Sequence, residues 1–237
     1  MADLNPLLTW DETGKKLYET GVDHGVLYLQ NDSGNYPEGV AWNGLTGVTE
    51  KPSGADTNDI YADNIKYLAL QAAEDFGATL TCYTYPDEWM KCDGQDEPVA
   101  GVVIGQQTRQ HFGLCYRTII GNDVKGNDYG YKLHLIYNCN ATPSERGYKT
   151  VNNSPEAIEF SYELKTTPVN VDNSGNYKPT AQITIDSTKV ATAANLTALE
   201  QILYGTPAAG QTPAVAARLP QPEEVIAIIE TGSYTPS

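Results

Sequence analysis

The chain has 237 residues, of which 40% are hydrophobic and 19% are charged, a composition that favours one substantial folded domain and excludes an intrinsically disordered chain. Fifteen basic residues stand against thirty acidic ones, and the formal charge of −15 argues against a surface that binds nucleic acid by neutralising phosphates. The first twenty residues contain no apolar run, and no later stretch is apolar for long enough to span a bilayer, so we expect no signal peptide and no membrane.

Alternation of apolar and polar residues predicts that most of the chain is antiparallel β-sheet. In chain order, strands are predicted at residues 24–29, 60–72, 78–85, 112–120, 131–137, 158–164 and 180–186. Turn-forming segments rich in Gly, Asn and Asp lie between them, at 31–37, 121–130 and 172–179. The clearest alternation is in 158–164, where Ile158, Phe160, Tyr162 and Leu164 share one face and Glu159, Ser161 and Glu163 share the other. The sequence therefore predicts a mainly β fold.

The stretch from Gly44 to Asn58 holds few core-forming residues for its length and is predicted to be a long loop. Loops of this length in compact domains are commonly functional. Two alternatives stay open for it: an interaction arm and a mobile surface loop without a partner.

Helices are predicted to be few. A short one is expected at Pro86–Cys92, where Pro86, Asp87 and Glu88 suit a first helical turn. A longer one is expected from Thr192 to Tyr204, ended by Gly205, and a last short one from Pro222. Residues 206–218, rich in Ala, Pro, Thr and Gly, are predicted to be a linker.

These elements predict two parts of the chain. Residues 1–204 would form a β domain with an N-terminal arm and the long loop, and residues 205–237 would form a linker, a short helix and a tail. The first dozen residues and the last six are expected to be flexible ends that could order on assembly.

The motifs of common enzymes are absent from the sequence. It contains no G-x-S-x-G, G-x-x-x-x-G-K-[ST], G-x-G-x-x-G or H-E-x-x-H pattern. The four cysteines lack zinc-ligand spacing and are expected to be reduced, and the run at 123–128 lacks the acidic spacing of a calcium loop. The adjacent carboxylates Glu223 and Glu224 are explained by the positive end of a helix. We expect no catalytic residues, no cofactor and no metal.

Long runs of the sequence resemble the major tail tube proteins of long-tailed (siphovirus-type) bacteriophages and prophages. The runs begin with LTWDETGKKLYETGVDHGVLY, YPEGVAWNGLTGVTEKPSGAD and YADNIKYLAL. They continue with FGATLTCYTYPDEW, IGQQTRQHFGLCYRTIIGND, GYKLHLIY, SPEAIEFSYELKTTPVNV and PTAQITIDSTKV. The resemblance covers nearly the whole chain in order.

This resemblance implies an antiparallel β-sandwich or barrel-like tail tube fold with a flanking α-helix and long loops. Six copies would form a ring, and stacked rings would form a hollow tube through which DNA is delivered to the host without specific binding. The implied partners are further copies of the chain and the tail terminator, tape measure and baseplate or initiator proteins. The implied location is the tail of the virion, assembled in the host cytoplasm.

Two sets of candidate assembly residues follow from the resemblance. Glu159, Ser161 and Glu163 are candidates for the face that lines the lumen, although a polar face can equally be the outside of a tube. Thr49, Glu50, Lys51 and Asp56, in the predicted loop, are candidates for contacts between rings. Residues 206–218 with the last helix could clasp a neighbouring subunit or be a local addition.

The main alternative is a β-rich monomeric carbohydrate-binding or adhesive module, which would also be rich in tyrosine and acidic. Such a module presents exposed Trp or Tyr in a groove, whereas Trp10, Trp42 and Trp89 are widely spaced in this sequence. A hydrolase is a third alternative, for which the sequence supplies no motif.

Overall fold

A computed structural model describes residues 8–234 apart from residues 152, 154, 155, 173, 174 and 210–212. Within these residues the chain forms fourteen strands and three helices. The strands are β1 (Leu17–Leu29), β2 (Glu38–Ala41), β3 (Leu45–Glu50), β4 (Ser53–Gly54), β5 (Thr57–Ala62), β6 (Ile65–Gln71), β7 (Glu74–Asp75), β8 (Gly77–Cys82), β9 (Asp96–Val99), β10 (Val102–Ile104), β11 (Phe112–Asn122), β12 (Gly126–Ala141), β13 (Phe160–Thr166) and β14 (Gln182–Asp186). The helices are α1 (Trp89–Cys92), α2 (Ala193–Tyr204) and α3 (Pro222–Thr231). The prediction of a mainly antiparallel β fold is confirmed.

Eight strands form one antiparallel sheet in the order β2-β1-β11-β12-β13-β8-β3, with β14 paired to β12. The long strand β12 holds two neighbours on the side opposite β11, because β14 pairs with residues 132–136 and β13 pairs with residues 139–141. The sheet divides at this point. One part contains β2, β1, β11, β12 and β14, and the other is a three-stranded layer of β13, β8 and β3.

The first hydrophobic core lies between these two parts. Leu27 of β1 and Leu80 of β8 belong to the same buried cluster although their strands lie far apart in the sheet order. Trp42 links the two parts of the sheet. Its backbone N–H donates to Gly25 O of β1 at 2.8 Å, and its ring lies 4.8 Å from that of Trp89, which follows β8 in the chain. The sheet therefore folds over onto itself, as a sandwich or barrel-like fold requires.

The second hydrophobic core lies on the opposite side of β1, β11 and β12, under the helices. Strand residues that alternate with those of the first core face it, among them Tyr28, Cys115, Leu133, Leu135 and Tyr137. In α2 the buried residues Leu196, Leu199 and Leu203 recur at helical spacing and cover this side of the sheet. The prediction of a flanking helix that ends at Gly205 is confirmed.

The C-terminal segment packs onto this second core. In α3, Pro222 occupies the first turn, Val225 and Ile228 are buried, and Gly232 ends the helix with φ +85° while its N–H donates to Ile228 O at 2.8 Å. The predicted linker is partly docked, since Gly39 N–H donates to Ala217 O at 2.8 Å. The described residues after 204 therefore share a core with the β domain.

Several predicted bounds were wrong. The helix predicted at Pro86–Cys92 is a single turn that begins at Trp89, because Pro86 and Asp87 accept the first turn's hydrogen bonds from outside it. The strand predicted at 60–72 is two strands, β5 and β6, with a turn at Asp63 and Asn64 whose backbones lie in the left-handed region. The hairpin of β9 and β10 was not predicted. The expectations for residues 1–7 and 235–237 lie outside the described residues.

Candidate assembly surfaces

The outer face of the β13, β8 and β3 layer is polar and uncovered by the helices, and we call it the open face. In β13 the alternation predicted from the sequence is confirmed: Tyr162 and Leu164 are buried in the first core, whereas Ser161 and Glu163 are exposed on the other side. Glu159 lies one residue before the strand and is also exposed. The three candidate lumen residues therefore share one face, while Ile158 lies outside the strand.

Hydroxyl groups of the neighbouring strands continue this polar surface. Ser161 pairs across the strands with Thr81, and Glu163 pairs with Thr79. The hydroxyl of Thr46 lies 3.0 Å from that of Thr81, and it donates a hydrogen bond of 2.6 Å to the Glu159 carboxylate. Thr46, Thr81 and Glu159 thus form a small hydrogen-bonded group on this face, whereas the hydroxyl of Thr79 has no hydrogen-bond partner among the described residues.

Acidic and basic side chains are interspersed on the open face around β13. Glu159, Glu163 and Glu145 supply three carboxylates, and Lys51 and Lys165 supply two ammonium groups. The Lys51 ammonium lies 3.8 Å from the Glu163 carboxylate. The charge of −15 on the whole chain is therefore not concentrated at the predicted lumen residues.

The segment Gly44–Asn58 is not a loop, which corrects the sequence-based expectation. Residues 45–50 form β3 and pair with β8 in the main sheet, and residues 53–54 pair with β7. Residues 57–62 form β5 and pair with β6. These strands were not predicted from the sequence because their side chains are small or polar and bury little surface on folding.

Residues 51–76 form one long projecting hairpin, which we call the arm. It has two ladders, β4 with β7 near its base and β5 with β6 near its tip. Among the described residues β5 and β6 pair only with each other. On one side of the arm Ile60 lies opposite Leu68, with Leu70 next to them, and the exposed fractions of the three side chains are 37%, 37% and 54%. On the other side Asp59 and Lys66 form an ion pair at 2.6 Å. An isolated two-stranded hairpin is marginally stable in water, so an apolar side of this kind suits a binding partner.

The structure does not bring the four predicted inter-ring residues together. Thr49 and Lys51 lie with the open face, because Thr49 pairs with Thr79 and Lys51 approaches Glu163. Asp56 is on the arm, where its carbonyl accepts a hydrogen bond from the Ala72 N–H at 2.9 Å. The roles given to these residues remain predictions.

Glu50, the fourth of them, lies at the end of β3, where the arm begins, and its side chain is directed toward Tyr116 and Gln182. Its carboxylate accepts hydrogen bonds from the Tyr116 hydroxyl at 2.6 Å and from the Gln182 amide at 2.7 Å. His134 Nδ1 lies 3.4 Å from the same carboxylate, and the His134 ring is stacked on Tyr116 with 4.6 Å between centroids. Burial lowers the pKa of His134, against the opposing pull of Glu50, and burial with Glu50 raises the pKa of Tyr116. Sequence reasoning could not find this cluster, because its members come from four distant strands.

The tryptophans do not form an exposed binding groove. Trp42 and Trp89 are exposed to only 3% and 0% and belong to the first core. Trp10 is exposed to 76% but lies apart from them near the N-terminus. The described residues therefore form no tryptophan-lined groove of the kind that a carbohydrate-binding module uses, whereas Tyr61 and Tyr67 of the arm are each exposed to 68%.

Metal-binding groups and membrane-spanning helices are both absent from the described residues. No group of three or more His, Cys, Asp or Glu side chains within them is placed to hold a metal ion. None of the helices in this part of the chain is long and apolar enough to cross a membrane. All four cysteines are free and buried.

Comparison with known proteins gives no family match but several distant structural likenesses, three of which follow. No model of a protein family and no curated protein sequence matches the chain. The fold is similar to a sheath/tube terminator of the PVC extracellular contractile injection system, at 9% identity, with 76% of this chain and 99% of that chain covered and a TM-score of 0.34. It is also similar to a chain of the PVC sheath–tube complex, at 11% identity, 69% and 88% coverage and a TM-score of 0.29. The tube-terminating cap of the anti-feeding prophage gives 12% identity, 78% and 99% coverage and a TM-score of 0.31. Likenesses at this level carry no argument about function.

Proposed function

We propose that this chain is a structural protein of a phage-type tail, which self-assembles as stacked hexameric rings into the hollow tube that delivers DNA to the host. The observation that carries the proposal is the open face: a polar three-stranded layer with a strand edge at each end. A layer of this kind can join its copies edge to edge and present an unbroken polar surface to a lumen.

Edge pairing accounts for the ring. Strand β3 ends the sheet order, and no strand of the described residues pairs with β13 on its outer side before Leu164. Unpaired strand edges tend to recruit further strands, and closure of a ring removes every such edge. In this assembly Glu159, Ser161 and Glu163 face the lumen, where hydroxyl groups and a slight excess of carboxylates give DNA little to bind.

The arm accounts for the stacking of rings. It projects from the layer that would line the lumen, and its root is held by the hydrogen bonds to Glu50. Its apolar side, with Ile60, Leu68 and Leu70, would be buried against a subunit of the next ring. Of the predicted inter-ring residues, Lys51 lies at the base of the arm and Asp56 lies along it.

The rest of the proposal follows from the tail assignment and the sequence. The chain has no catalytic role, and its partners are its own copies with the tail terminator, tape measure and baseplate or initiator proteins. Its place is the tail of the virion, after assembly in the host cytoplasm. A panel of generic ester and glycoside substrates tests the absence of catalysis, and reproducible turnover would refute it.

The decisive experiment is negative-stain electron microscopy of the purified full chain at rising concentration and moderate salt. We expect rings or hollow tubes with six-fold symmetry. A monomer at every concentration, also in the presence of tail initiator proteins, would overturn the proposal and favour the monomeric binding module.

A further inference from the structure

A strap of residues 142–147 lies along the outer edge of β13. It begins as a continuation of β12, where the Thr142 N–H donates to Glu163 O at 2.8 Å. Pro143 has no N–H and ends this ladder. The next contact is made by a side chain, because the Glu163 N–H donates to the hydroxyl of Ser144 at 3.0 Å. A hydroxyl group thus occupies the place of a strand partner.

One residue anchors the strap. The Arg146 guanidinium lies over the rings of Tyr85, Phe160 and Tyr162, at 5.7, 6.0 and 5.7 Å from their centroids. It also forms an ion pair with Asp93, whose side chain is only 9% exposed. Cation–π contacts of this kind stabilise by modest amounts, so the anchor holds the strap without locking it.

Asp93 does not depend on this anchor. Arg109 Nη1 lies 3.3 Å from the same carboxylate, and the Gln95 amide donates to it at 2.9 Å. Removal of the Arg146 side chain therefore leaves the buried carboxylate with partners. The two arginines share one carboxylate, but only Arg146 belongs to the strap.

The edge beside the strap is where the proposed ring must close. Beyond Glu163 the edge continues at Ser161, for which the described residues supply no strand partner on that side. The other end of the same layer is β3, also terminal in the sheet. A second copy of the chain thus offers its β3 edge to this β13 edge.

We propose that the strap is a removable guard of the β13 edge, released from Arg146 when the β3 edge of a second copy pairs there. This inference rests on the proposed function. Thr142 keeps its two hydrogen bonds to Glu163 O as the continuation of β12, while backbone hydrogen bonds from an incoming strand replace the Ser144 hydroxyl contact and the Arg146 anchor, so release is favourable only when a copy is present. The guard keeps the free chain from pairing through this edge at low concentration.

The first test compares Arg146→Ala with Arg109→Ala by light scattering and electron microscopy. Arg146→Ala is expected to lower the concentration needed for half-maximal assembly by about fivefold, the factor that a lost cation–π anchor implies. Arg109→Ala weakens the same ion-pair cluster and removes a hydrogen bond of 3.0 Å to Ala141 O at the base of the strap, but leaves Arg146 on its aromatic rings, so a smaller decrease is expected. An equal decrease in both variants, or none in either, would refute the guard. Thermal melting of each variant establishes that it is folded.

The second test locks the strap with a disulfide between Ser144→Cys and Glu163→Cys. Oxidation is expected to reduce the yield of rings at least about tenfold, and a reductant is expected to restore it. The native thiols should not interfere, because burial raises the pKa of Cys92 and of Cys115 to about 12. The control is Ser144→Cys alone, whose yield of rings should not differ between oxidising and reducing conditions.

The outcomes separate the two proposals. If the unmodified chain forms no rings, the tail tube function fails. If the unmodified chain forms rings and the oxidised double variant forms them equally well, the guard is wrong and the tail tube function stands.

Discussion

The helix-covered face of β1, β11 and β12 and the open face of β13, β8 and β3 share the same strand alternation but carry different residues. The covered face presents large apolar side chains such as Tyr28, Leu133 and Leu135 to α2 and α3. The open face presents Thr, Ser, Glu and Lys, and none of the three helices in the described part of the chain covers it. Alternation places a side chain on one face or the other, whereas the residue types decide whether that face is buried within the chain or left for another molecule.

The two faces should differ most in how much a substitution on each of them lowers the free energy of unfolding. Leu199→Ala should lower the free energy of unfolding by about 2–5 kcal/mol, because Leu199 is fully buried between α2 and the sheet and its loss leaves a cavity. Ser161→Ala on the open face should change it by no more than about 0.5 kcal/mol. Urea denaturation followed by circular dichroism measures both, and a comparable loss in the two variants would show that the open face is part of the folding core.

Substitutions in the arm should lower the yield of tubes but have little effect on folding. Leu70→Asp is expected to lower the yield of tubes at least about tenfold, because it places a charge on the apolar side proposed to dock on the next ring. Ala69→Asp is the matched control, since the neighbouring residue lies on the polar side of the same strand. Electron microscopy should show isolated rings for Leu70→Asp and tubes for Ala69→Asp. Full-length tubes from Leu70→Asp would remove the arm from the stacking contact.

A charge change on the open face should alter contact with DNA. Glu159→Lys adds two positive charges to the surface around β13, so tubes of this variant should retain several-fold more DNA at low salt, with the excess lost at high salt. Glu230→Lys makes the same change on the exposed side of α3 and should have a smaller effect. Filter binding with assembled tubes measures the difference. Equal retention by the two variants would argue that Glu159 lies outside the lumen.

The smallest expected effect is the pH response of the cluster at the root of the arm. Since burial lowers the pKa of His134, the unfolded chain binds its proton more readily than the folded chain. The contribution to stability is therefore complete above pH 6.5 and decreases as the pH falls below 6.5 toward the lowered pKa. Glu50, Glu19 and Lys132 are the charged groups that act on the ring.

The variant His134→Gln isolates this response. It should lose the decrease that begins just below pH 6.5 while the losses from carboxylates such as Asp23, whose pKa is lowered by Arg117, still occur at more acidic pH. Chemical denaturation at a series of pH values between 7 and 4 makes the comparison. An unchanged pH profile would show that another group titrates in this range.

Much of the fold could be predicted from the sequence, because burial leaves a local pattern. The alternation in β12 and β13 and the spacing of Leu196, Leu199 and Leu203 in α2 are visible without any knowledge of the tertiary structure. Glu159, Ser161 and Glu163 could be assigned to one face for the same reason. The arm was found only in part: residues 60–72 were predicted as one strand, but the turn at Asp63 and Asn64 and the strands before residue 60 were missed, because they bury little surface.

What the sequence determined by itself is the class of fold, the helix at 193–204 and the sidedness of the strands, all set by contacts between residues close along the chain. The tertiary structure alone decided which side of the sheet the helices cover, that Glu50 turns toward Tyr116 and His134, and that Arg146 reaches its three aromatic rings. These outcomes depend on residues that lie tens of positions apart, and their meeting is fixed by how the whole sheet curls and by which apolar surfaces pack together.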